Sequence, residues 1–412
     1  MKTVGIIAEF NPFHNGHKYL IDKAKEITGA DTAVVIMSGD FVQRGAPAVC
    51  DKYLRTNMAL SEGADIVFEL PVIYALGSAE QFSDGAIRLL SSTLNIDYIC
   101  FGSESGDIDK LTGFAALTEE YSHTDEFRSN ISAYVKKGLS YPAAFEAVIK
   151  DRYEDTDSSL YSPNNLLGIE YCRALYRLKG SGLYSKLPEP VTIKREGSCY
   201  HDETLSEYPS ATSVRNAIQS SKINDLRKYL PGSAFKILSD NAGKNLPVFE
   251  DDFNDMFYLR LNSASDKEIE SIPDIHIDLK NKLIKCRERH IIISELISGL
   301  KCKAFTYSAI SRAIFRLLLS PLYTNAMLYS VNNPDRIPYL RTLGFKKGSS
   351  EFLRSIRHSE TCNIITKPAD GNMDDPSYLL DIYASNLYNQ VCSNKYKTGF
   401  TDELKTGPVI IL

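Results

Sequence analysis

The first hundred residues of this chain alternate short apolar runs with longer segments of helical periodicity. The apolar runs cover residues 3–8, 32–37, 65–70 and 97–101. A run that is apolar throughout is typical of a strand buried on both faces of a parallel sheet. Strands that alternate with helices form right-handed βαβ units, so the pattern predicts an α/β fold with a doubly wound, mostly parallel sheet. Such a sheet binds its ligands beyond the carboxyl ends of its strands.

The second half of the chain has a different pattern. Beyond Pro231 the strand alternation stops, and amphipathic helical segments continue to Arg357. A short strand-like or loop region near Ile364 then precedes a last helix. A length of 412 residues also exceeds the size at which one core stops growing. We therefore predict two domains, an α/β domain at residues 1–235 and a mainly helical domain at residues 236–412.

Composition limits the compartment and the partners. The chain starts directly with a strand-like run, without the pattern of a secretory signal, and no apolar stretch approaches a membrane span. Eight cysteines without a C-x-x-C pair indicate neither a zinc ribbon nor a disulfide framework. We expect a cytoplasmic protein with reduced thiols. The net charge of −5 argues against wholesale binding of nucleic acid, but an average can hide a local basic face.

The sequence His14-x-Gly16-His17 directly follows the first predicted strand and opens the first predicted helix. A helix N-terminus presents free backbone N–H groups and the positive end of the helix dipole, which together favour a phosphate. Imidazoles three residues apart share a helical face, so both can donate to phosphate oxygens, and Gly16 lets a nucleotide approach the backbone. The segment therefore predicts a triphosphate site at which His14 and His17 stabilise the charge that shifts during attack on phosphorus.

Two other interpretations of the histidine pair are open. The rings can cap the helix without any ligand, or they can supply two zinc ligands, because H-x-x-H is a metal-binding spacing. No further cysteine, histidine or glutamate cluster with ligand spacing lies nearby in the sequence. We therefore predict a nucleotide site and no protein metal site.

A second segment, SATSVR at residues 210–215, also opens a predicted helix. Hydroxyls and free N–H groups at a helix start can hold phosphate, and an arginine there can stabilise a departing pyrophosphate. Alone the pattern is weak, because Ser and Thr are common helix caps. Paired with the histidine segment it becomes specific. The predicted phosphate contacts here are Ser210, Thr212 and Ser213, and the predicted catalytic residues of the two segments are His14, His17 and Arg215.

Together the two segments resemble the nucleotidyltransferase superfamily that carries the H-x-G-H motif. More of the chain is similar to one family within it, the tRNA(Met) cytidine acetate ligases. The similar segments run in order through both halves of the chain: GIIAEFNPFHNGH at 5–17, MSGDFVQRG at 37–45, ELP at 69–71, FGSE at 101–104, SPNN at 162–165, YHD at 200–202 and YLRTLGF at 339–345.

The resemblance implies an ATP-dependent ligase that works in two steps. Acetate attacks the α-phosphate of ATP to give acetyl-adenylate and pyrophosphate, and N4 of the wobble cytidine of elongator tRNA(Met) then accepts the acetyl group. Mg²⁺ is expected to accompany ATP. The choice between Asn164 and Asn165 as a nucleotide contact stays open. The implied ATP contacts are Ile7, Ala8, Glu9, Phe10, Asn11, Pro12, Phe13, His14, Asn15, Gly16, His17, Lys18, Tyr19, Leu20, Gly102, Asn164 and Arg195.

Residue chemistry agrees with that mechanism. Acetate is ionised at neutral pH, so its attack on phosphorus needs no general base, and positioning with charge stabilisation suffices. Candidate partners for phosphate or acetate are Lys18, Arg44 and Lys52, although Lys18 can equally be a solvated surface residue. Candidates to assist Mg²⁺ are Asp40 and Asp51.

The region from Lys280 to Arg357 contains many more lysines and arginines than acidic residues. A basic region inside an acidic chain is typical of a surface that binds a polynucleotide backbone, and an ordinary solvated helical face is the alternative. We predict tRNA contacts at Lys346, Lys347 and Arg354, and no DNA or membrane partner. Two rival functions also stay open. One is a transferase of the same superfamily that adenylates another small molecule, and the other is a non-catalytic sensor of ATP and RNA.

Overall fold

The structure, a computed structural model, describes residues 1–92, 96–153, 157–182, 184, 186–195, 210–333, 339–356 and 363–412. Its strands are β1 (Thr3–Ala8), β2 (Thr32–Ser38), β3 (Phe41–Val42), β4 (Ala46–Pro47), β5 (Ile66–Leu70), β6 (Tyr98–Ser103), β7 (Glu189–Lys194), β8 (Leu340–Lys346), β9 (Ile364–Ile365) and β10 (Val409–Ile411). Its α-helices are α1 (Asn15–Thr28), α2 (Lys52–Ser61), α3 (Val72–Ala75), α4 (Ala79–Ser92), α5 (Ile108–Ser122), α6 (Asp125–Lys136), α7 (Tyr141–Arg152), α8 (Pro163–Ser181), α9 (Ala211–Gln219), α10 (Gly232–Asn241), α11 (Asn254–Ser263), α12 (Asp266–Glu270), α13 (Ile277–Ile284), α14 (Ile293–Leu300), α15 (Tyr307–Leu319), α16 (Leu322–Asn332), α17 (Ser350–Ile356) and α18 (Pro376–Tyr396).

One large sheet organises the molecule, in the strand order β10-β8-β5-β2-β1-β6-β7, with β9 beside β8. Neighbouring strands from β5 to β7 are parallel. β8 runs antiparallel to β5 and parallel to β9 and β10. The predicted α/β fold with a mostly parallel sheet is therefore confirmed. Because the strands from β5 to β7 run in one direction, their carboxyl ends meet at one edge.

Both faces of the sheet are covered by helices, which explains the continuous apolar runs. β2 and β5 are buried along their whole length. Along β2, Val34 and Ile36 join a core with residues of α4, α5 and α8. Val35 and Met37 point to the opposite face and join a core with residues of α1, α2, α9 and α10. The alternation of side chains across a strand thus feeds two separate cores.

The prediction that helical segments continue to Arg357 misses β8, which lies inside that region, whereas β9 matches the strand-like region expected near Ile364. The β8 segment LRTLGFK has no continuous apolar run, since Arg341 and Thr342 interrupt it. Arg341 is nevertheless buried beside Glu69 and Glu403, which offset its charge. Apolar periodicity alone therefore misses this strand. The division of the chain after residue 235 stays a prediction.

The remaining helices of the second half share a third core, which includes side chains of α11, α15 and α18. This core also receives Phe41 from the loop after β2, whose ring lies 5.8 Å from that of Phe253 and 5.7 Å from that of Phe315. Gly45 in the same loop leaves no room for a Cβ against the backbone of Arg312. The helical half thus fixes the loop that follows β2. In the part of the chain that the structure describes, no helix is long and apolar enough to cross a membrane.

Candidate functional site

A cavity of about 210 Å³ lies at the edge where the carboxyl ends of the parallel strands meet. Its wall is formed by the ends of β1 and β6, the loop after β1, the turn between β3 and β4, Arg195 after β7, and parts of α1, α4, α8 and α9. Predicted contacts that the structure brings to this wall are Ile7, Ala8, Glu9, His14, His17, Leu20, Gly102, Asn164, Arg195, Ser210 and Thr212. The wall also contains Gln43, Arg44, Phe82, Phe101, Leu167, Tyr171 and Ala211.

His14 caps α1 and also lines the cavity. Its Nδ1 accepts a hydrogen bond from the backbone N–H of Gly16 at 3.1 Å, and Nδ1 of His17 accepts one from the backbone N–H of His14 at 3.2 Å. The two rings stack with their centroids 3.7 Å apart. A Cβ on Gly16 would lie 3.0 Å from the His14 ring, so glycine at this position leaves space for the cap. The rings thus cap the helix and line the cavity at the same time.

Both imidazoles are neutral at physiological pH. Burial, with the positive charges of Arg195 and Arg215, lowers the pKa of His14 to about 3. Burial, with His14 and Arg195, lowers the pKa of His17 well below its ordinary value of 6.5. A ring nitrogen that accepts a hydrogen bond has no proton, so the N–H of each ring is on Nε2. Each histidine therefore offers a ligand one N–H donor with no net charge.

Aromatic side chains hold the histidine pair from behind. Phe10 and Phe13 are fully buried, with ring centroids 4.9 Å apart. The His17 ring lies 4.9 Å from Phe10 and 5.6 Å from Phe13. These two residues lie behind the wall and support it. The predicted site residues that do not line the cavity are Phe10, Asn11, Pro12, Phe13, Asn15, Gly16, Lys18, Tyr19, Ser213 and Arg215.

The start of α9 faces the histidines across the cavity. Ser210 caps the helix, since its Oγ accepts from the backbone N–H of Ser213 at 3.1 Å, and the Ser213 hydroxyl donates back to the Ser210 carbonyl. The Thr212 hydroxyl accepts from Arg44 and from Arg215, each at 3.1 Å. Arg215 also donates to the Asn11 carbonyl at 2.9 Å, which ties α9 to the loop after β1. The two predicted phosphate segments therefore meet through direct contacts.

The two candidate asparagines, Asn164 and Asn165, have different surroundings. Asn165 is completely buried, and its Oδ1 accepts from the backbone N–H groups of Glu104 and Ser105. Asn164 lines the cavity, and its Nδ2 donates to Glu104 at 2.6 Å. The same carboxylate accepts from the backbone N–H of Asn165 at 2.8 Å. Asn165 thus shapes the loop and Asn164 lines the cavity, and a contact of Asn164 with a nucleotide stays a prediction.

The interpretation of Lys52 as a phosphate or acetate partner is wrong. Its side chain is completely buried, with Nζ 2.7 Å from Glu69 and 2.8 Å from Glu403. Arg341 pairs with the same two carboxylates. We call these four residues, Lys52, Glu69, Arg341 and Glu403, the charge cluster. It joins α2 and β5 to β8 and to residue 403, and Lys52 does not line the cavity.

The acidic candidates for Mg²⁺ also lie away from the cavity wall. Asp40 is buried, its Oδ1 accepts from the Lys52 backbone N–H at 2.8 Å, and burial raises its pKa to about 6. Asp51 caps α2 through the backbone N–H of Leu54. Lys18 lies 3.3 Å from Asp22, as a surface ion pair. Among the described residues, no three His, Cys, Asp or Glu side chains form a group that could hold a metal ion.

The predicted basic face is only partly a surface. Arg316 and Arg341 are buried, and Arg316 donates to the Leu76 carbonyl in the interior. Lys347 and Arg354 are exposed, whereas Lys346 lies 3.4 Å from Asp65. Phe345 of β8 pairs with Ile66, the first residue of β5, so these cations lie at the opposite edge of the sheet from the cavity. Arg336, Arg357 and the YHD segment at 200–202 fall outside the described residues.

Comparisons with known proteins agree over nearly the whole chain. The HIGH Nucleotidyl Transferase family profile matches residues 1–403. A tRNA(Met) cytidine acetate ligase of Clostridium novyi is 37% identical over 100% of both chains. One from Caldicellulosiruptor saccharolyticus is 38% identical over 96% of this chain and 95% of its own. The crystal structure of Thermotoga maritima TmcAL superposes with a TM-score of 0.87 at 28% identity, and its form bound with alpha-thio ATP with 0.86, each over 100% of both chains.

Proposed function

The chain belongs to the tRNA(Met) cytidine acetate ligase family of HIGH nucleotidyl transferases, and we propose from this membership that it activates acetate with ATP and acetylates N4 of the wobble cytidine of elongator tRNA(Met). In the first step an acetate oxygen attacks the α-phosphorus of ATP, and the bond to pyrophosphate breaks. In the second step N4 attacks the carbonyl carbon of acetyl-adenylate, and AMP leaves.

The observation that carries the proposal is the convergence of two phosphate-type helix starts on one cavity. The first turns of α1 and α9 both contribute to the wall, and Arg44 and Arg195 add positive charge. In this proposal the Nε2–H groups of His14 and His17 donate to phosphate oxygens, and Arg215, which lies behind the wall and donates to Thr212 on it, adds positive charge that stabilises the departing pyrophosphate. Preorganised donors of this kind stabilise the charge that develops during attack.

Neutral histidines suit that role. A cationic imidazolium would bind ATP and pyrophosphate tightly before and after reaction, which stabilises both ground states. A neutral N–H fixed by its own backbone hydrogen bond adds stabilisation where charge increases and needs no reorganisation. Removal of one such donor typically costs about 2.7–4 kcal/mol of transition-state stabilisation.

In this proposal Mg²⁺ enters the site bound to ATP. Mg²⁺ is commonly held by substrate phosphates, water and one or two carboxylates. The described residues provide no cage of metal ligands, and the wall contains one carboxylate, Glu9, among them. We therefore expect phosphate oxygens and water to supply most of the ligands of the ion.

The predicted tRNA contacts Lys346, Lys347 and Arg354 stay part of the proposal. A tRNA whose anticodon loop enters the cavity would reach them along β5, which spans about 17 Å at the usual rise per residue. The exposure of Lys347 and Arg354 supports a role in backbone binding. The ion pair of Lys346 with Asp65 makes that residue the weakest of the three.

A measurement of the first step alone separates this enzyme from its rivals. The purified protein should release pyrophosphate from ATP when acetate is present and tRNA is absent. A protein that binds ATP without releasing pyrophosphate would be a sensor. Acetate-independent release with another small acceptor would indicate a different adenylyltransferase of the same superfamily.

A further inference from the structure

Glu9 occupies an unexpected place for an acidic residue. It follows the last residue of β1 and lines the cavity that holds the phosphate-type helix starts. Its Oε1 accepts a hydrogen bond from the Gln43 backbone N–H at 2.9 Å. Its Oε2 makes no hydrogen bond to any residue that the structure describes. One carboxylate oxygen therefore remains as an acceptor for a ligand.

A carboxylate in this cavity opposes the binding of a triphosphate, because like charges repel. The fold nevertheless fixes the backbone at this residue. Arg55 is completely buried and donates to the backbone carbonyl of Glu9 at 2.7 Å, and it also donates to the carbonyls of Ser38 and Gly39 after β2. The backbone contact with Arg55 and the side-chain contact with the Gln43 N–H together keep the carboxylate at the cavity, where a hydrogen-bond donor suits it better than a phosphate does.

The wall beside Glu9 is aromatic. Tyr171 and Phe101 pack edge to face with centroids 5.5 Å apart, and Phe82 and Leu167 line the same cavity. Gly168 leaves room for Phe101, since a Cβ there would lie 2.5 Å from its ring. Glu9 lines the same cavity as this wall, and burial together with the charge of Glu9 raises the pKa of Tyr171. Unpaired bases of RNA stack on aromatic side chains of this type.

We propose that Glu9 recognises the acceptor cytosine, with its free carboxylate oxygen accepting from the N4 amino group while the aromatic wall bounds the ring. Carboxylates commonly accept from N4 of cytosine. The proposal rests on the proposed function. As N4 bonds to the acetyl carbonyl carbon, the C–O bond to AMP breaks, and one N4 proton passes to the Glu9 carboxylate and then to solvent. Glu9 is thus the proton acceptor of the second step, whereas the first step needs no proton acceptor because acetate is already ionised.

The test separates the two steps in the variant Glu9→Gln. The amide keeps an oxygen for the Gln43 N–H and has almost the same shape, but it cannot take a proton. Acetate-dependent ATP–pyrophosphate exchange reports the first step. A single turnover of enzyme-bound acetyl-adenylate with tRNA reports the second. Glu26→Gln on the exposed face of α1 is the matched control.

We expect transfer in Glu9→Gln to fall by about 10²–10⁴-fold, the usual contribution of a general base, and we expect exchange to fall by a much smaller factor. The other titratable or charged side chains on the wall are His14, His17, Arg44, Tyr171 and Arg195, and the variant leaves all of them in place.

Three results overturn the proposal. Unchanged transfer in the variant would remove Glu9 from the reaction. An equal loss of exchange and transfer, above all one that extra Mg²⁺ restores, would assign Glu9 to ATP or its metal ion. A wild-type protein without acetate-dependent exchange would contradict the proposed function and this inference together, and the wild-type assay alone distinguishes that case.

Discussion

The cavity and the charge cluster both concentrate polar side chains inside the protein. They differ in how many hydrogen-bond donors of those side chains remain available to a ligand. In the cavity, each histidine uses one ring nitrogen on the backbone and keeps an N–H donor. In the charge cluster, Lys52 donates to Glu69 and to Ser385, each at 2.7 Å, and lies 2.8 Å from Glu403. A residue can serve a ligand only with donors that the fold has not already used.

This difference distinguishes residues that bind a ligand from residues that stabilise the fold, although both kinds look alike in the sequence. Lys52 and His14 both lie at the start of a helix, and both are candidate ligand contacts in the sequence. The lysine has two carboxylates and a hydroxyl around one ammonium, so its role is to join α2 to the second half of the chain. The histidine has a cap on one side and the cavity on the other.

The largest effect is expected from Lys52→Met. The methionine keeps the apolar stem but leaves Glu69 and Glu403 with Arg341 as their remaining partner in the cluster, and breaking a buried ion pair typically costs about 3–5 kcal/mol. Urea unfolding should show a loss of that size. The surface pair of Lys23 with Glu26 provides the control, since Lys23→Met should cost less than about 1 kcal/mol. Equal small losses in both variants would remove the distinction between the two regions.

His14→Asn is the opposite test, because asparagine is a good helix cap but lacks the ring N–H. The rate of acetyl-adenylate formation should fall by about 10²–10³-fold, while the free energy of unfolding changes little. The rate of acetyl-adenylate formation should also fall steeply in His17→Ala. His14→Ala adds the loss of the cap, about 1 kcal/mol of stability. A near-normal rate in His14→Asn and His17→Ala would mean that the pair serves only the helix.

Arg215→Ala should have a smaller effect on the same reaction. Arg215 donates to Thr212 and to the Asn11 carbonyl, so part of its hydrogen-bonding capacity is used by the fold. A charged hydrogen bond contributes about 1.5–3 kcal/mol, which predicts roughly a tenfold to hundredfold slower adenylation. Ser210→Ala should slow adenylation as well. Affinity for free tRNA should not change, and a fall in tRNA affinity with normal adenylation would assign the segment to the RNA.

The smallest effect is expected at the surface cations. Reversing Lys347 and Arg354 to glutamate should lower the slope of log affinity for tRNA against log salt by about 0.7–0.9 for each phosphate that the protein no longer neutralises. Lys346→Glu is the internal comparison, because its partner Asp65 already uses part of its charge. Adenylation without tRNA should stay unchanged. If affinity and slope stay constant in all three variants, this face is only solvated and the RNA binds elsewhere.

The sequence predicts the frame of the cavity well, because its signals are local. β1 and β2 follow from apolar runs, and the first turns of α1 and α9 follow from capping residues at their starts. The aromatic wall does not carry such a signal. Phe82 and Tyr171 lie on helices at ordinary core positions, and only the packing of α4 and α8 brings them to the site.

Ion pairs between residues that are distant in the sequence explain why some buried lysines and arginines are assigned from sequence to a surface or to a ligand. Arg316, Arg341 and Lys52 look like surface or ligand-binding cations in sequence, since their partners are far away along the chain. Glu69 and Glu403, for example, are 334 residues apart and neutralise the same two cations. Charge pairing of this kind is a property of the fold, so counting lysines and arginines in a segment overestimates its basic surface.

The nucleosides of the product tRNA show most directly whether this protein uses ATP to transfer acetate to tRNA. The wild-type protein is incubated with ATP, Mg²⁺, isotope-labelled acetate and elongator tRNA(Met), and the digested tRNA is analysed by mass spectrometry. We predict labelled N4-acetylcytidine at the wobble position, formed only when ATP is present. Pyrophosphate release with no label in the tRNA, or label on a different nucleoside, would contradict the account.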